Sequence, residues 1–157
     1  MSKIEQSVEV DVPVRTAYNQ WTQFEDFPQF MEGVEQIRQT DDTHVHWVAE
    51  IAGRKKEWDA EITEQTPDQR VAWKSTDGTT NAGVVTFHKL DDGMTQVMVQ
   101  MDYETDGAVE AAGDALGLAT RRVKGDLERF KELIEKRGTP TGAWRGEVEN
   151  ADDAKER

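Results

Sequence analysis

Cysteine is absent from the 157-residue chain, which excludes a disulfide framework and any thiolate nucleophile. Long apolar runs are also missing, so no segment of the sequence has the length of a membrane-spanning helix. The opening MSKIEQSVEV lacks the basic and then apolar pattern of a secretion signal. We therefore expect one soluble, cytoplasmic domain with no stable insertion into a membrane.

Basic residues are few compared with acidic ones. The sequence has 19 Lys and Arg against 32 Asp and Glu, a net charge of −13. Such a surface repels phosphate backbones, so nucleic acids and anionic membranes are disfavoured as partners. The short basic cluster GRKK, residues 53–56, falls where a hairpin turn is expected, and we interpret it as a solvated turn. The charge alone does not specify a macromolecular partner.

Motifs of common catalytic sites are absent as well. The sequence has no G-x-S-x-G elbow, no phosphate-binding loop and, without cysteine, no Cys–His pair. The glycines of GDALGLA fall within a predicted helix and follow no suitable strand, so they do not indicate a nucleotide site. These absences leave enzymatic activity undecided, and we expect no cofactor.

Regular patterns begin near the N-terminus. Residues 4–12 alternate between apolar and polar side chains, which predicts a half-buried strand. Asp11 and Pro13 are helix-start signals, and apolar residues at helical spacing follow them as far as Trp21. Residues 24–33 form a second short helical segment that is rich in phenylalanine. The sequence therefore predicts one strand followed by two short helices.

Residues 34–104 have a different pattern. Short runs rich in β-branched and aromatic residues alternate with turn sequences such as Ala52-Gly53, Pro67-Asp68 and Asp92-Gly93. Consecutive hairpins predict an antiparallel meander of six strands, because parallel strands would need long crossover connections.

A long amphipathic helix is predicted from about Val109 to Lys136. Its apolar stripe comprises Leu116, Thr120, Val123, Leu127, Phe130 and Ile134. We therefore predict an α+β fold in which a curved antiparallel seven-stranded sheet wraps around a long C-terminal helix. The domain is expected to span residues 1–138. Residues 139–157 are expected to form a polar, acidic and partly disordered tail, from which Trp144 can dock back onto the body.

A pair of histidines raises the question of a metal site. His44 and His46 are two residues apart in a predicted strand, so they share a face with Glu50. The facing strand adds Glu57, Asp59 and Glu61 to that side. Two imidazoles and a carboxylate are a ligand set for zinc or iron. We favour the simpler interpretation, a water-facing side of a hairpin, and expect neither a metal site nor an acid–base pair there.

The inward side of the same sheet is apolar. The predicted ligand-binding residues are Trp47, Trp58, Trp73, Phe87, Met101 and Tyr103 on the sheet, with Leu116 and Thr120 on the helix. Two interpretations stay open, a packed core and a cavity between sheet and helix. Small residues facing the aromatic groups, such as Ala49, Ala60 and Gly83, favour the cavity. The phenylalanine-rich segment and the helix start near 107–117 would then control access.

The sequence resembles the polyketide cyclase/dehydrase branch of the START and Bet v 1-like (SRPBCC) superfamily, which has the helix-grip fold. The matching stretches include VEVDVPVRTAYNQWTQFEDFPQFM, EWDAEITEQTPDQRVAWKS, NAGVVTFHKLDDGMTQV and DLERFKELIE. The likeness covers about residues 2–137, and it rests on the order and spacing of these stretches. It implies a deep cavity that takes lipids, polyketides or other hydrophobic molecules.

Members of that superfamily differ in what they do. Some catalyse aromatic ring closure or dehydration, others bind or carry molecules such as quinones, and one related group acts on ribosomes. No catalytic motif is recognised at a matching position here, so no catalytic residue is assigned. We expect non-covalent binding or carriage of a small hydrophobic ligand, such as a lipid, a polyketide or a quinone-like molecule. The alternatives are a cyclase/dehydrase-type enzyme using the same cavity and a protein–protein module acting through the acidic surface.

Overall fold

The computed structural model describes residues 2–51, 53–78, 81–103 and 112–148. Two short helices lie between the first two strands and the long helix comes last, so the predicted α+β class is confirmed. The elements are β1 (Ser2–Val10), α1 (Val14–Trp21), a 3-10 helix (Phe24–Gln29), β2 (Val34–Asp41), β3 (His44–Ile51), β4 (Arg54–Thr66), β5 (Arg70–Gly78), β6 (Asn81–Asp91), β7 (Met94–Tyr103) and α2 (Ala112–Arg137).

The seven strands form one antiparallel sheet in the order β1-β7-β6-β5-β4-β3-β2. Strands β2 to β7 follow one another as hairpins, whereas α1 and the 3-10 helix carry the chain from β1 to the opposite edge. Both sides of the sheet reach α2. Lys131 donates to the Glu9 carbonyl of β1 at 2.9 Å, and Arg122 donates to the Glu50 carbonyl of β3 at 3.1 Å. The sheet therefore curves around α2, which confirms the predicted helix-grip arrangement.

An aromatic cluster joins α1, the 3-10 helix, β6 and α2. The Trp21 ring lies at its centre, with centroids 5.2–6.3 Å from those of Phe27, Phe30, Phe87 and Phe130. Phe24, Phe27 and Phe30 are each no more than 6% exposed. The segment that the sequence suggests as a movable cover is therefore anchored in the core by its phenylalanines.

The inner stripe of α2 changes in burial along the helix. Thr120 and Val123 are half-buried, whereas Leu127, Phe130 and Ile134 are buried. The predicted start of the helix at 109 lies outside the described residues. At the other end Gly138 has φ of 77° and donates its N–H to the Ile134 carbonyl at 2.8 Å, a glycine C-cap.

The first ten residues of the tail, 139–148, dock onto the body of the protein. Thr141 N–H donates to Gln20 Oε1 at 2.9 Å, and Trp144 N–H donates to Thr22 Oγ1 at 3.1 Å. Arg145 donates to Asn19 Oδ1 at 2.6 Å and to Asp68 Oδ2 at 2.8 Å, with its guanidinium 5.5 Å from the Tyr18 ring centroid. An antiparallel bridge between Gln65 and Val148 then pairs the tail with β4, beyond the point where β3 begins. The docking expected for Trp144 is therefore observed, while residues 149–157 of the tail, which is expected to be partly disordered, lie outside the described residues.

The aromatic cluster predicts a large cost for truncating its α2 member. Phe130 is fully buried, so we expect Phe130→Ala to lower the free energy of unfolding by about 3–5 kcal/mol through lost packing and a residual cavity. Denaturant unfolding followed by circular dichroism measures the change. Leu90→Ala is the control, since Leu90 is 47% exposed and its truncation should stay within about 0.5 kcal/mol. Similar losses in both variants would contradict this assignment of the core.

Arg145 predicts a measurable contribution of the tail to stability. Its removal leaves Asn19 and Asp68 without their charged donor, so Arg145→Ala should lower the free energy of unfolding by about 1–3 kcal/mol. Arg145→Lys should recover only part of the loss, because an ammonium group cannot reproduce the planar fork. Arg70→Ala is the control, as its pairing with Glu64 is 3.7 Å long and exposed. A loss no greater than that of the control would argue against a stably docked tail.

Candidate functional site

The half of the inner sheet face that lies away from α1 carries three tryptophans. Trp47 and Trp58 are direct cross-strand partners, and their rings stack with centroids 5.5 Å apart and planes 10° apart. Ala49 and Ala60 flank the pair on the same face and are almost fully buried. The two stacked rings form an apolar wall. Because the alanine side chains on either side are small, they leave space beside that wall.

The Trp73 ring approaches a glycine, Gly83, on the neighbouring strand. A Cβ at Gly83 would be 2.8 Å from Trp73 Cη2 and 2.8 Å from Met101 Cβ, so only glycine leaves room for the indole ring. The indole N–H of Trp73 donates to Asn81 Oδ1 at 2.9 Å, and Asn81 N–H donates to Ser75 Oγ at 3.0 Å. The sequence analysis missed the role of Asn81 as the partner of the Trp73 indole. Period-two alternation from Gly83 does place Asn81 on the same face.

The two ends of the inner face differ in packing. At the α1 end Val10, Val97 and Phe130 are fully buried. At the tryptophan end Trp47, Trp73 and Met101 are half-buried, as is Thr120 of α2, whereas Trp58 is only 8% exposed. The Trp47 ring also meets the aromatic cluster, with its centroid 5.9 Å from that of Phe27. The interior is therefore closed around α1 and less completely filled near the tryptophans.

The predicted site residues divide between these two ends. Phe87 lies at the α1 end, where its ring packs edge-on against Tyr18 at 5.4 Å and against Trp21 at 6.3 Å. Trp47, Trp58, Trp73 and Met101 share the other end. The backbone of Tyr103 pairs with Asn81, and Leu116 is part of α2, but the side chains of both lie outside the described structure.

A depression of about 870 Å³ crosses the sheet from β1 to β4. One inward-facing row of residues contributes to it, namely Ile4, Met101, Gly83, Trp73 and Ile62. The outward-facing neighbours of that row also line it, namely Lys3, Glu5, Glu61, Thr63, Lys74, Ala82, Val84, Gln100 and Asp102. The next inward row, with Val85 and Val99, does not. We therefore assign this depression to the outer face of the sheet, distinct from the predicted cavity.

The histidine hairpin also faces outward, as predicted. His44 Nδ1 lies 2.8 Å from Asp41 Oδ1, and His46 Nδ1 lies 2.7 Å from Asp59 Oδ1. The hydrogen bond to Asp59 is the main cause that raises the pKa of His46. Among residues 2–51, 53–78, 81–103 and 112–148, no three histidine or carboxylate side chains converge as a metal site would require.

A charged cluster fastens α2 to the loop after the 3-10 helix. Asp126 accepts hydrogen bonds from the Glu32 N–H at 2.9 Å and from Arg129, which also donates to the Phe30 carbonyl at 2.8 Å. Burial raises the pKa of Asp126 to about 6, although the Glu32 N–H and the guanidinium groups of Arg129 and Arg122 act in the opposite direction. Its neighbours therefore offset only part of the cost of burying this carboxylate.

Comparison with known families places this geometry in context. The family model described as "Polyketide cyclase / dehydrase and lipid transport" matches residues 10–132. The chain belongs to this family. The matched region takes in β2 to β7, both short helices and most of α2, whereas the docked tail lies beyond it. The matched residues thus include all three tryptophans of the inner face, Trp47, Trp58 and Trp73.

Several individual proteins are similar to this chain. An uncharacterized 17.2 kDa protein of Streptomyces lincolnensis, from the melC2-rnhH intergenic region, is 62% identical over 149 residues, 94% of this chain and 99% of the relative. The Zhui aromatase/cyclase of Streptomyces sp. R1128 has a TM-score of 0.72 at 16% identity, with 91% of this chain and 99% of that chain covered. A START superfamily protein of Mycobacterium smegmatis has a TM-score of 0.69 at 15% identity, with 84% and 98% covered. At such low identities the two structures show a shared fold.

Membrane spanning was tested on the same structure. Within the part of the chain that the structure describes, no helix combines the length and apolar character needed to cross a bilayer.

Asp126 predicts a defined pH dependence of stability. A raised pKa means that its contribution to the folded state is complete below its ordinary value of 3.8 and is lost as the pH rises through about 6. When the pH falls from about 7.5 to about 4.5, the free energy of unfolding of the wild type should therefore rise by about 2 kcal/mol relative to that of Asp126→Asn. Urea unfolding of both proteins at each pH measures the difference. Asp92→Asn, at a fully exposed carboxyl, should give no such pH trend, and a flat difference for Asp126 would refute the assignment.

Proposed function

We propose that the protein binds a small hydrophobic ligand non-covalently, between the tryptophan end of the inner sheet face and the first half of α2. The observation that carries this proposal is the contrast in packing along one face. Val10, Val97 and Phe130 at the α1 end are fully buried, whereas Trp47, Trp73 and Met101 at the other end are half-buried. The family description, which joins cyclase/dehydrase activity and lipid transport, supports the same conclusion.

Apolar contact would supply most of the affinity. A ligand that buries roughly 200 Å² of apolar surface against the tryptophans gains about 5 kcal/mol at about 25 cal/mol per Å², before the cost of ordering it. The stacked pair of Trp47 and Trp58 offers a flat surface that suits planar or extended hydrophobic groups. The site therefore suits carriage or storage of such a molecule.

Polar groups at the margin would orient the ligand. Asn81 holds the Trp73 indole in place and is itself 8% exposed, and Thr120 continues the inner stripe of α2 over the same end. Pockets of this kind combine an apolar lining with a few placed polar atoms. We assign to Thr120 the orientation of the ligand and to Asn81 the positioning of the Trp73 ring.

Native mass spectrometry of the purified protein, followed by solvent extraction, is the direct test of the proposal. A non-covalent mass that is released on denaturation and recovered in the organic phase supports ligand carriage and names the ligand class. An apo mass is followed by titration with the neutral hydrophobic dye phenylnaphthylamine. Failure of the dye to bind the apo protein would overturn the proposal.

Paired tryptophan variants separate the site from the core. We expect Trp47→Leu to raise the dissociation constant of the dye about tenfold, because it removes half of the stacked wall. Trp21→Leu is the matched control, since Trp21 is 5% exposed in the aromatic cluster. The control should lose more stability and keep its affinity for the dye. The reverse pattern, or equal effects in both assays, would count against a binding site at Trp47.

A further inference from the structure

Several polar atoms beneath the docked tail have no hydrogen-bond partner within the described residues. They are the Tyr18 hydroxyl, both polar atoms of the Gln65 side chain and Asp68 Oδ1. Tyr18 is 0% exposed and Gln65 is 1% exposed, so bulk solvent does not reach them. Buried polar groups in native proteins nearly always have a partner, either in the chain or in an ordered water molecule. These atoms therefore require a partner that the described chain does not supply.

The same polar atoms belong to one place in the fold. Burial raises the pKa of Tyr18, and the facing Gln65 side chain acts in the opposite direction. The charges of Arg145 and Asp68 also act on the pKa of this hydroxyl, with opposite signs. The Arg145 guanidinium connects the group, because it donates to Asp68 Oδ2 at 2.8 Å and lies 5.5 Å from the centroid of the Tyr18 ring. A single polar site thus joins α1, β4 and the turn that follows β4.

The chemistry of this site limits what can occupy it. The Asp68 carboxylate is already paired with Arg145, so neither a cation nor an anion would meet an uncompensated charge. The Tyr18 hydroxyl offers a proton, Asp68 Oδ1 accepts one, and the Gln65 amide does both. A small neutral molecule that both donates and accepts hydrogen bonds is complementary to this set, and water is the smallest such molecule.

We propose that the docked tail closes over a buried water molecule, which accepts a hydrogen bond from the Tyr18 hydroxyl and donates to the Gln65 side chain and to Asp68 Oδ1. Three partners are the usual number for a buried water. Arg145 is the cover of this site, since its guanidinium is fixed between Asn19 Oδ1 at 2.6 Å and Asp68 Oδ2 at 2.8 Å. The water is thus part of the docking site of the tail, and it does not depend on the hydrophobic ligand proposed above.

A direct hydrogen bond between Tyr18 and Gln65 is the alternative arrangement. It would pair the hydroxyl with one atom of the amide and leave the other amide atom and Asp68 Oδ1 unpaired. The backbone of Gln65 is held by Val148 in both directions, at 2.8 and 2.9 Å, so the residue stays beside Tyr18 while the tail is docked. A water molecule pairs more of these atoms than the direct bond does, which is why we favour it.

Oxygen-17 relaxation dispersion of the full-length protein in labelled water is the test, because it counts water molecules that stay bound for longer than the protein takes to tumble. We expect Gln65→Leu, which removes a partner, and Arg145→Ala, which removes the cover, each to lose the contribution of about one water molecule relative to the wild type. Thr95→Val is the matched control. Thr95 is also fully buried, but its hydroxyl donates to the Val12 carbonyl at 2.9 Å, so this variant should keep the wild-type count.

The outcomes separate the parts of the proposal. An unchanged count in both Gln65→Leu and Arg145→Ala overturns it, and an equal loss in Thr95→Val overturns the assignment to this site. A loss in Gln65→Leu alone overturns the role of Arg145 as the cover. A high-resolution crystal structure of the wild type decides the same question without any variant. Density for a water bonded to Tyr18 and Gln65 supports the proposal, whereas a direct bond between the two side chains refutes it.

Discussion

The aromatic contacts between α1, the 3-10 helix and the C-terminal half of α2 determine the rest of the architecture. Trp21 and Phe130 lie 5.2 Å apart, centroid to centroid, and Phe30 lies at the same distance from Phe130. These interlocked rings fix one end of α2 against the sheet. Since an α-helix is stiff along its axis, fixing one half of these 26 residues also fixes the direction of the other half.

This arrangement separates stability from binding along a single face. The α1 end is packed to completion and holds the residues whose truncation would cost most. The tryptophan end places Ala49, Ala60 and Gly83 among large rings, so its surface is uneven. Trp47 and Trp73 stay half-buried there, although Trp58 and the two alanines are buried. A protein that must both fold and admit a ligand can place the two demands at opposite ends of one core.

Charged contacts around α2 extend the same division. Asp126 and Arg129 bind the loop after the 3-10 helix, and Arg122 binds the end of β3. At the other side the tail residue Arg145 joins α1 to the turn between β4 and β5 through Asn19 and Asp68. These contacts lie outside the apolar interior. They connect the elements around it without adding polar groups to the tryptophan wall.

Sequence patterns alone predict most of the fold. Alternation and turn dipeptides give the strands, helical spacing gives α1 and α2, and the hairpin succession gives the antiparallel order. Period two also places the histidines outward and the tryptophans inward, because the side-chain period of a strand does not depend on its partners.

Tertiary structure decided what period and composition could not. Phe87 has the same inward alternation as Trp73, yet the position of α1 places it in the aromatic cluster. The docked tail contacts Asn19, Gln65 and Asp68. These residues lie far from the tail in the sequence and share no pattern with it. Local sequence sets the face of each residue, whereas the neighbours across that face depend on how the whole sheet closes around α2.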